Sequence, residues 1–168
     1  MKVRSPTSDE LPRLQEIEVA AGVAFAEIGL GDVAAADPFT IDELEAYRRA
    51  GRIWVLDDEG TVAGYAVVDV LDDRAHLEQV SLHPEWGRRG LGRRLVEHVC
   101  GWAAQQGMDA VTLTTFRDVP WNAPLYERYG FSVLVDDALG PQLRARRARE
   151  ADDGLDLELR VCMVRAVP

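Results

Sequence analysis

Apolar residues recur at three- and four-residue spacing in several stretches of the chain, a period that predicts helices. The first stretch places Leu11, Leu14 and Ile17 on one face and predicts a helix over about 8–24. Further helices are predicted over about 40–51 and 90–106, within 121–129, and as a short basic segment in 141–150. The segments 7–10 and 40–43 both read Thr-x-x-Glu, the capping-box pattern that favours the start of a helix.

Short runs rich in β-branched residues predict the strands. Such runs cover residues 53–56 and 62–70, and further strands are predicted over 2–5, 75–82, 110–115, 131–135 and 159–164. The acidic turn 57–60 predicts an antiparallel hairpin, and a second acidic turn at 71–74 leads into the strand 75–82. That strand, the helix after it and the strand 110–115 predict a right-handed parallel crossover. The chain is therefore predicted to be a mixed α/β protein.

The turn between the strand 75–82 and the following helix is rich in glycine and arginine. Free N–H groups and the positive end of the helix dipole make such a helix start an anion site. Gly90 and Gly92 would let the backbone approach a phosphate closely, and Arg88, Arg89, Arg93 and Arg94 add positive charge. A solvated basic turn without function is the alternative. Two other phosphate motifs do not fit, since Leu95 replaces the third glycine of the dinucleotide fingerprint and no Gly-Lys-Ser/Thr follows.

The same turn resembles the acyl-CoA pyrophosphate loop of the GNAT superfamily of N-acyltransferases, Arg/Gln-x-x-Gly-x-Gly/Ala. The resemblance extends from about residue 54 to 131. It departs at the first position, Gly87, which keeps a backbone amide and leaves the charge to Arg88 or Arg89. The resemblance implies an α/β (α+β) fold with a mixed, mostly antiparallel sheet, a parallel strand-helix-strand core and helices on both faces. It also implies acetyl-CoA as co-substrate.

Length and composition limit the classes of protein to which the chain can belong. With 168 residues, of which 47% are hydrophobic, it is expected to form one domain over 1–168. A net charge of −10 argues against nucleic acid as a partner and is compatible with an amine substrate. Cys100 and Cys162 are expected to be buried free thiols. The sequence shows neither a signal peptide nor an apolar run that could span a bilayer, so we expect no membrane partner and a cytoplasmic location.

Acyl transfer to an amine requires a group that accepts the amine proton. Alternation along the strand 75–82 puts His76 and Glu78 on one face, together with Val80 and Leu82. Glu78 resembles the strand-four glutamate that acts as general base in many GNAT enzymes. A salt bridge or a solvent-facing carboxylate is the alternative for Glu78, and a satisfied structural histidine is the favoured interpretation of His76.

The departing CoA thiolate needs a proton donor, and the segment 121–131 contains one. It looks like the GNAT pattern Tyr-x-x-x-Gly-Phe, with Tyr126, Gly130 and Phe131 in the matching positions. Tyr126 is the resulting candidate for general acid, whereas Tyr129 matches poorly and is expected to pack. Asn122 precedes Tyr126 by four residues rather than the family's seven, so a CoA contact and an N-cap role both stay open.

By resemblance, the strand 75–82 splays beside a bulge near Val80 and leaves amides free for the acyl carbonyl and the pantetheine arm. The cofactor contacts implied in this way are those of Val80, Ser81, Leu82, Gly87, Arg88, Arg89, Gly90, Leu91, Gly92, Arg93 and Asn122. No metal site is predicted.

Two further segments bear on the acceptor. The segment 25–39, with Glu27, Asp32 and Asp37, is a candidate wall of the acceptor pocket, with a solvated acidic loop as the alternative. The basic segment 141–150 is interpreted as a solvated helix surface, with a lid over the ligand site as the alternative.

The sequence therefore predicts an enzyme that moves an acetyl or short acyl group from acetyl-CoA to a primary amine in a ternary complex. The rival is a non-catalytic acyl-CoA sensor or partner-binding module on the same fold. The presence of both Glu78 and Tyr126 favours the enzyme. The acceptor, a small molecule or a peptide, is not identified, and the sequence leaves open whether the chain forms a homodimer.

Overall fold

The computed structural model describes all residues, 1–168. The strands are β1 (Lys2–Arg4), β2 (Ile53–Asp58), β3 (Thr61–Leu71), β4 (Arg74–Leu82), β5 (Ala110–Phe116), β6 (Ser132–Leu134) and β7 (Arg160–Ala166). The helices are α1 (Leu11–Ala26), α2 (Gly31–Ala34), α3 (Ile41–Arg49), α4 (Leu91–Gln105), α5 (Ala123–Arg128) and α6 (Pro141–Asp152). None of them combines the length and the apolar character needed to cross a bilayer.

The seven strands are hydrogen-bonded in the order β1-β2-β3-β4-β5-β7-β6. β4 and β5 are parallel neighbours on either side of α4 in the chain, as the strand-helix-strand pattern predicts. The pairs β1–β2, β2–β3, β5–β7 and β6–β7 are antiparallel. The fold class predicted from the sequence is confirmed.

Local signals in the sequence account for the element boundaries near the N-terminus. The Thr40 side chain accepts from the Glu43 N–H, and the Glu43 carboxylate accepts from the Thr40 N–H at 2.8 Å, so the predicted capping box starts α3. At the β2–β3 turn the Asp57 carboxylate accepts from the Gly60 N–H at 2.7 Å, which confirms the predicted hairpin. The predicted helix over 8–24 begins instead as a 3-10 turn, Ser8–Glu10, and its α-helical part runs on to Ala26.

The chain divides into two compact units, Met1–Val68 with Gln79–His98, and Asp69–Glu78 with Val99–Pro168. In the first unit, α1 and α3 cover a core in which Leu14, Ile17 and Leu44 are fully buried. Burying each such side chain contributes about 1.5–3 kcal/mol. In the second unit, Leu143 of α6 packs with Leu139 and Cys162. The single domain expected from the length stays a prediction, whereas both cysteines are free and buried, as predicted.

Candidate active site

A tight turn leads from β4 into α4. Pro84–Trp86 form one turn of 3-10 helix, and the Gly87 N–H donates to the Pro84 carbonyl at 2.9 Å. The amide of Gly87, expected to be open to a pyrophosphate, is therefore already bonded inside the turn. Gly90 follows with φ +68°, a left-handed backbone that glycine adopts without a steric penalty. A Cβ on Gly92 would meet only the Leu82 side chain, at an ordinary 3.6 Å, so packing within the protein does not require this glycine.

The arginines of this turn and of the first turn of α4 differ in the partners that they have. Arg93 lies 3.5 Å from the Glu97 carboxylate, and Arg94 donates to the Met1 carbonyl at 3.0 Å. Arg88 and Arg89 are exposed and have no ion-pair partner in the chain. Arg88 and Arg89 are therefore the charges that remain available to an anion at this turn.

Strand β4 changes its pairing along its length. It is paired with β5 at Ala75, His76 and Leu77 only, although β4 continues to Leu82. The prediction that the amides of Val80 and Leu82 are free requires that the pairing with β5 ends before these residues, and it does end there. The Ser81 hydroxyl is buried and accepts from the Gln79 amide at 2.8 Å, so these two side chains share a face.

β3 approaches the far end of β4 closely at one glycine. A Cβ placed on Gly64 would lie 2.4 Å from the Leu82 side chain and 2.6 Å from the Ser81 carbonyl. Only glycine fits between these atoms without displacing backbone. Gly64 thus fixes the position of the strand segment from which acyl-CoA contacts are expected.

The Glu78 carboxylate belongs to a cluster built by β3, β4 and α6. Its Oε2 accepts from Nη1 of Arg146, and Nη2 of the same guanidinium donates to Asp69 Oδ2 at 2.7 Å. Only 26% of the Glu78 side chain and 18% of the Asp69 and Arg146 side chains are exposed. Burial raises the pKa of Glu78 above its ordinary value, Arg146 opposes that rise, and the negative charges of Asp69 and Glu150 add to it.

His76 lies beside this cluster, but its hydrogen-bond partner is Thr112 on β5. The side chain is 2% exposed, its Nδ1 is 3.0 Å from the Thr112 hydroxyl, and its Nε2 is 3.7 Å from Glu78 Oε2. Burial, aided by the positive charge of Arg146, lowers the pKa of His76 to about 4. His76 is therefore neutral at pH 7 and hydrogen-bonded, in agreement with the favoured interpretation of a structural histidine.

Tyr126 lies in α5, and its ring makes edge contacts with Tyr129 and Phe131 at centroid distances of 6.2 and 5.7 Å. The contact with Tyr129 agrees with the expected packing role of that residue. Burial raises the pKa of the Tyr126 phenol, so the hydroxyl keeps its proton at neutral pH. No hydrogen bond or ring contact links Tyr126 to Glu78, so the candidate acid and the candidate base are independent groups.

Asn122 is the residue before α5, but its side chain does not cap the helix. Its Oδ1 accepts from the Thr115 hydroxyl at 2.7 Å and from the Phe116 N–H at 3.4 Å, both on β5. The amide oxygen thus ties the start of α5 to the sheet. Asn122 thus occupies the predicted N-cap position, but without a side-chain cap bond, and a contact between Asn122 and CoA stays a prediction.

The basic segment forms α6, as predicted, but its interpretation as a solvated surface is wrong for one face of the helix. Leu143 is 3% exposed, Arg146 binds Glu78 and Asp69, and Arg147 donates to the Leu157 and Arg160 carbonyls at 3.2 and 3.3 Å. No local pattern indicated these contacts, since an arginine-rich helix has the same sequence signal whether it faces solvent or carboxylates. The notion of a lid over the ligand site remains a prediction.

The acidic segment 25–39 contains the short helix α2, and its Glu27, Asp32 and Asp37 are exposed. Its role as acceptor wall stays a prediction. A carboxylate that sequence reasoning missed lies nearby on α1: Glu18 accepts from the Tyr65 hydroxyl at 2.5 Å, and burial raises the pKa of Glu18. Its position seven residues after Leu11, on the apolar face of α1, is a signal that could have revealed it.

Comparison with known families supplies the class of protein. Residues 22–131 match the sequence model of the family described as acetyltransferase (GNAT) family. The chain therefore belongs to the GNAT acetyltransferase family, which confirms the family predicted from the sequence.

Individual relatives match only part of the chain, at moderate sequence identity. Over 77 residues, 46% of this chain and 52% of the relative, the chain is 31% identical to the [ribosomal protein bS18]-alanine N-acetyltransferase of Escherichia coli strain K12. The chain thus spans about half the length of the curated relatives that it matches.

Solved structures share the whole fold at low sequence identity. A GNAT family acetyltransferase from Staphylococcus aureus Mu50 has a TM-score of 0.74 at 16% identity, and 99% of each chain is covered. The Escherichia coli ribosomal-protein-S18-alanine N-acetyltransferase has a TM-score of 0.69 at 21% identity, over 99% of this chain and 93% of that one. N-acetylglutamate synthase from Neisseria gonorrhoeae, complexed with coenzyme A and N-acetyl-glutamate, reaches 0.73 at 17% identity, over 99% of this chain and 35% of that one.

Proposed function

We propose that the protein is an N-acetyltransferase that moves the acetyl group of acetyl-CoA directly to a primary amine. The observation that carries this proposal is the Glu78 carboxylate, which is largely buried on β4 and has a raised pKa. A carboxylate of this kind is a better proton acceptor at neutral pH than an ordinary one, because its conjugate acid is weaker. Membership of the GNAT family supports the same chemistry.

Acetyl-CoA would be held by the turn between β4 and α4. The start of α4 offers N–H groups and a dipole favourable to the pyrophosphate, and Arg88 and Arg89 supply unpaired positive charge. The amide of Gly87 takes no part in this proposal, because it is bonded to Pro84. Gly92 leaves room for close approach of a phosphate.

Transfer would begin with attack of the neutral amine on the thioester carbonyl. A C–N bond forms, the carbonyl oxygen becomes negative, and Glu78 accepts a proton from the nitrogen, directly or through water. The carbonyl then re-forms as the C–S bond breaks, Tyr126 donates its proton to the departing sulfur, and solvent returns a proton to Tyr126 and takes one from Glu78. The raised pKa of Tyr126 keeps that proton on the phenol until the thiolate forms.

The acceptor is proposed to be an amine, and two observations bear on which class of amine it is. The net charge of −10 and the exposed carboxylates of segment 25–39 favour a cationic amine. The Escherichia coli relative is named for an alanine of a ribosomal protein, so a peptide that begins with alanine is a second class to test.

The proposal is tested by measuring CoA release from acetyl-CoA with a panel of polyamines, amino acids, aminoglycosides and peptides that begin with alanine. Activity with at least one amine should be lost in Glu78→Gln and kept in Glu127→Gln, a matched change at an exposed carboxylate of α5. Calorimetry with acetyl-CoA is run in parallel. Tight binding of acetyl-CoA without transfer to any amine would support the non-catalytic sensor instead.

A further inference from the structure

Helix α6 is held at its N-terminus by a carboxylate from a distant turn. Asp72, between β3 and β4, accepts from the N–H groups of Gln142 and Leu143 at 2.9 and 3.0 Å. The Gln142 side chain in turn accepts from the Asp72 N–H at 2.6 Å. These bonds satisfy two of the free N–H groups of the first helical turn and place a negative charge at the positive end of the helix dipole.

The sequence is adapted to this contact at Gly140, the residue before α6. A Cβ on Gly140 would lie 2.3 Å from the Asp72 carboxylate, so only glycine lets the carboxylate reach the helix. Asp72 takes the place of the capping side chain that Gly140 lacks. The start of α6 is therefore fixed relative to the β3–β4 turn.

One face of α6 points inward from this fixed start. Leu143 is buried, and Arg146, Arg147 and Glu150, three, four and seven residues later, are half-buried. Side chains at this spacing share one face of a helix. Arg149 does not belong to this inward set and is exposed.

The Arg146 guanidinium bridges two carboxylates from different strands, Glu78 on β4 and Asp69 on β3. The charged and titratable groups around Glu78 and His76 are Asp69, Arg146, Glu150 and Arg160. Glu150 binds Arg160 at 3.1 Å, so three carboxylates face two guanidinium groups in this cluster. The cluster carries one negative charge in excess, and Arg146 is the group that separates Glu78 from Asp69.

We infer that Arg146 is a positioning residue for Glu78: shared between Glu78 and Asp69, its guanidinium fixes the carboxylate and keeps it ionised before the acceptor arrives. The inference rests on the proposed function, in which Glu78 accepts the amine proton. Without Arg146, no positive charge would stand between Asp69 and Glu78, and Glu78 would bind a proton at higher pH than it does in the wild type. A protonated Glu78 could not act as a base.

The first test is free of any substrate. Carboxyl-carbon NMR titration of 13C-glutamate-labelled protein follows Glu78, whose signal is assigned as the one missing in Glu78→Gln. In Arg146→Gln the midpoint of this titration should rise by about 1–3 pH units, the usual effect of removing an opposite charge at contact distance. Arg149→Gln, a matched change on the exposed face of α6, should leave it unchanged. Asp69→Asn should move the midpoint in the opposite direction, and Arg146→Lys should restore part of the shift.

The second test is the pH dependence of kcat/KM with an amine identified by the panel. The acidic limb should move to higher pH in Arg146→Gln and to lower pH in Asp69→Asn, by amounts that match the NMR midpoints. Unchanged midpoints in Arg146→Gln and Asp69→Asn would overturn the inference, as would a kcat/KM that rises at every pH in Arg146→Gln, since Arg146 would then be a competitor of the amine. If no amine is acetylated, the proposed function fails, while the NMR midpoints still decide whether Arg146 controls Glu78. Should Arg146→Gln not fold, Arg146→Lys and Asp69→Asn carry the same comparison.

Discussion

The glycine- and arginine-rich turn before α4 and the carboxylate cluster around Glu78 differ in how their residues are brought together. The turn is built from consecutive residues between Pro84 and Gly92, and its shape comes from local hydrogen bonds and two left-handed residues, Arg88 and Gly90. In the cluster, by contrast, Arg146 lies 68 residues from Glu78 and 77 from Asp69 in the chain. The turn can therefore be recognised in a sequence, whereas the cluster becomes visible only in the folded chain.

The two regions also treat charge differently. Arg88 and Arg89 are exposed and unpaired, so their charge is free for an anionic ligand. Arg146 is largely buried and bound to two carboxylates, so its charge acts within the protein. The same residue type is thus expected to control cofactor affinity in one region and proton transfer in the other.

The largest change in turnover is expected for Glu78→Gln, a substitution in the cluster that leaves the turn intact. Turnover near neutral pH should fall by about 10²–10⁴, because no group accepts the amine proton. Part of the rate should return as the pH rises toward the pKa of the amine, where the substrate deprotonates itself. The wild-type rate should itself fall on acidification at a pH above the ordinary glutamate pKa of 4.5, because Glu78 must be ionised and its pKa is raised.

Acetyl-CoA affinity is the control for this experiment. Since Glu78 does not hold the pyrophosphate, calorimetry should give the same Kd for Glu78→Gln and wild type. A variant that turns over normally at pH 7 would reduce Glu78 to an ordinary strand carboxylate.

For Arg88→Ala and Arg89→Ala we expect weaker acetyl-CoA binding with little change in turnover. A charge-assisted hydrogen bond contributes about 1.5–3 kcal/mol, so loss of one contact should weaken acetyl-CoA binding roughly ten- to a hundredfold. Turnover at saturating acetyl-CoA should stay close to that of wild type. Arg149→Ala, at an exposed position of α6, is the matched control for calorimetry. Unchanged affinity in both turn variants would remove the turn from the cofactor site.

A smaller loss of turnover is expected for Tyr126→Phe. The CoA thiol has an ordinary pKa of about 8.5, so the thiolate can leave as an anion when no proton donor is present. We expect roughly a tenfold loss near neutral pH that shrinks at high pH, with acetyl-CoA affinity preserved. The pH–rate profile with one amine is the measurement. A loss as large as that of Glu78→Gln at every pH would contradict the assignment of Tyr126 as proton donor only.

Sequence reasoning found the elements whose signals are local. The capping box at Thr40, the hairpin at Asp57 and the crossover from β4 to β5 depend on neighbouring residues and on periodicity. It missed the short helix α2, four residues long, which carries no such signal. It also misjudged the Gly87 amide, because its bond to Pro84 depends on the conformation of the turn.

Residues of the candidate site could be predicted where the residue type and its place in a motif suggest the role. Glu78 and Tyr126 follow from the family pattern, and the arginines of the turn follow from their charge. Arg146 could not be assigned, because its role depends on where α6 begins, and that position is set by the contact between Asp72 and the helix N-terminus. The position of Glu18 on the apolar face of α1 was a local signal, but its partner Tyr65 was not predictable, because their hydrogen bond joins residues 47 positions apart.

The smallest expected effect, in Asp72→Ala, tests whether the cluster depends on this distant contact while the turn before α4 does not. Loss of the two bonds to the α6 N–H groups should cost about 1–2 kcal/mol in the free energy of unfolding, the usual effect of removing a helix cap. Urea denaturation measures it, with Asp73→Ala as the matched control. Both aspartates have a left-handed backbone, φ +52° and +59°, so the conformational penalty of alanine cancels between them.

Because α6 loses this anchor, the NMR midpoint of Glu78 should rise in Asp72→Ala but not in Asp73→Ala, whereas acetyl-CoA affinity should be the same in both. A midpoint that stays in place while stability falls would show that Arg146 reaches Glu78 without the help of Asp72. A change in acetyl-CoA affinity would show that the turn and the cluster are not built independently.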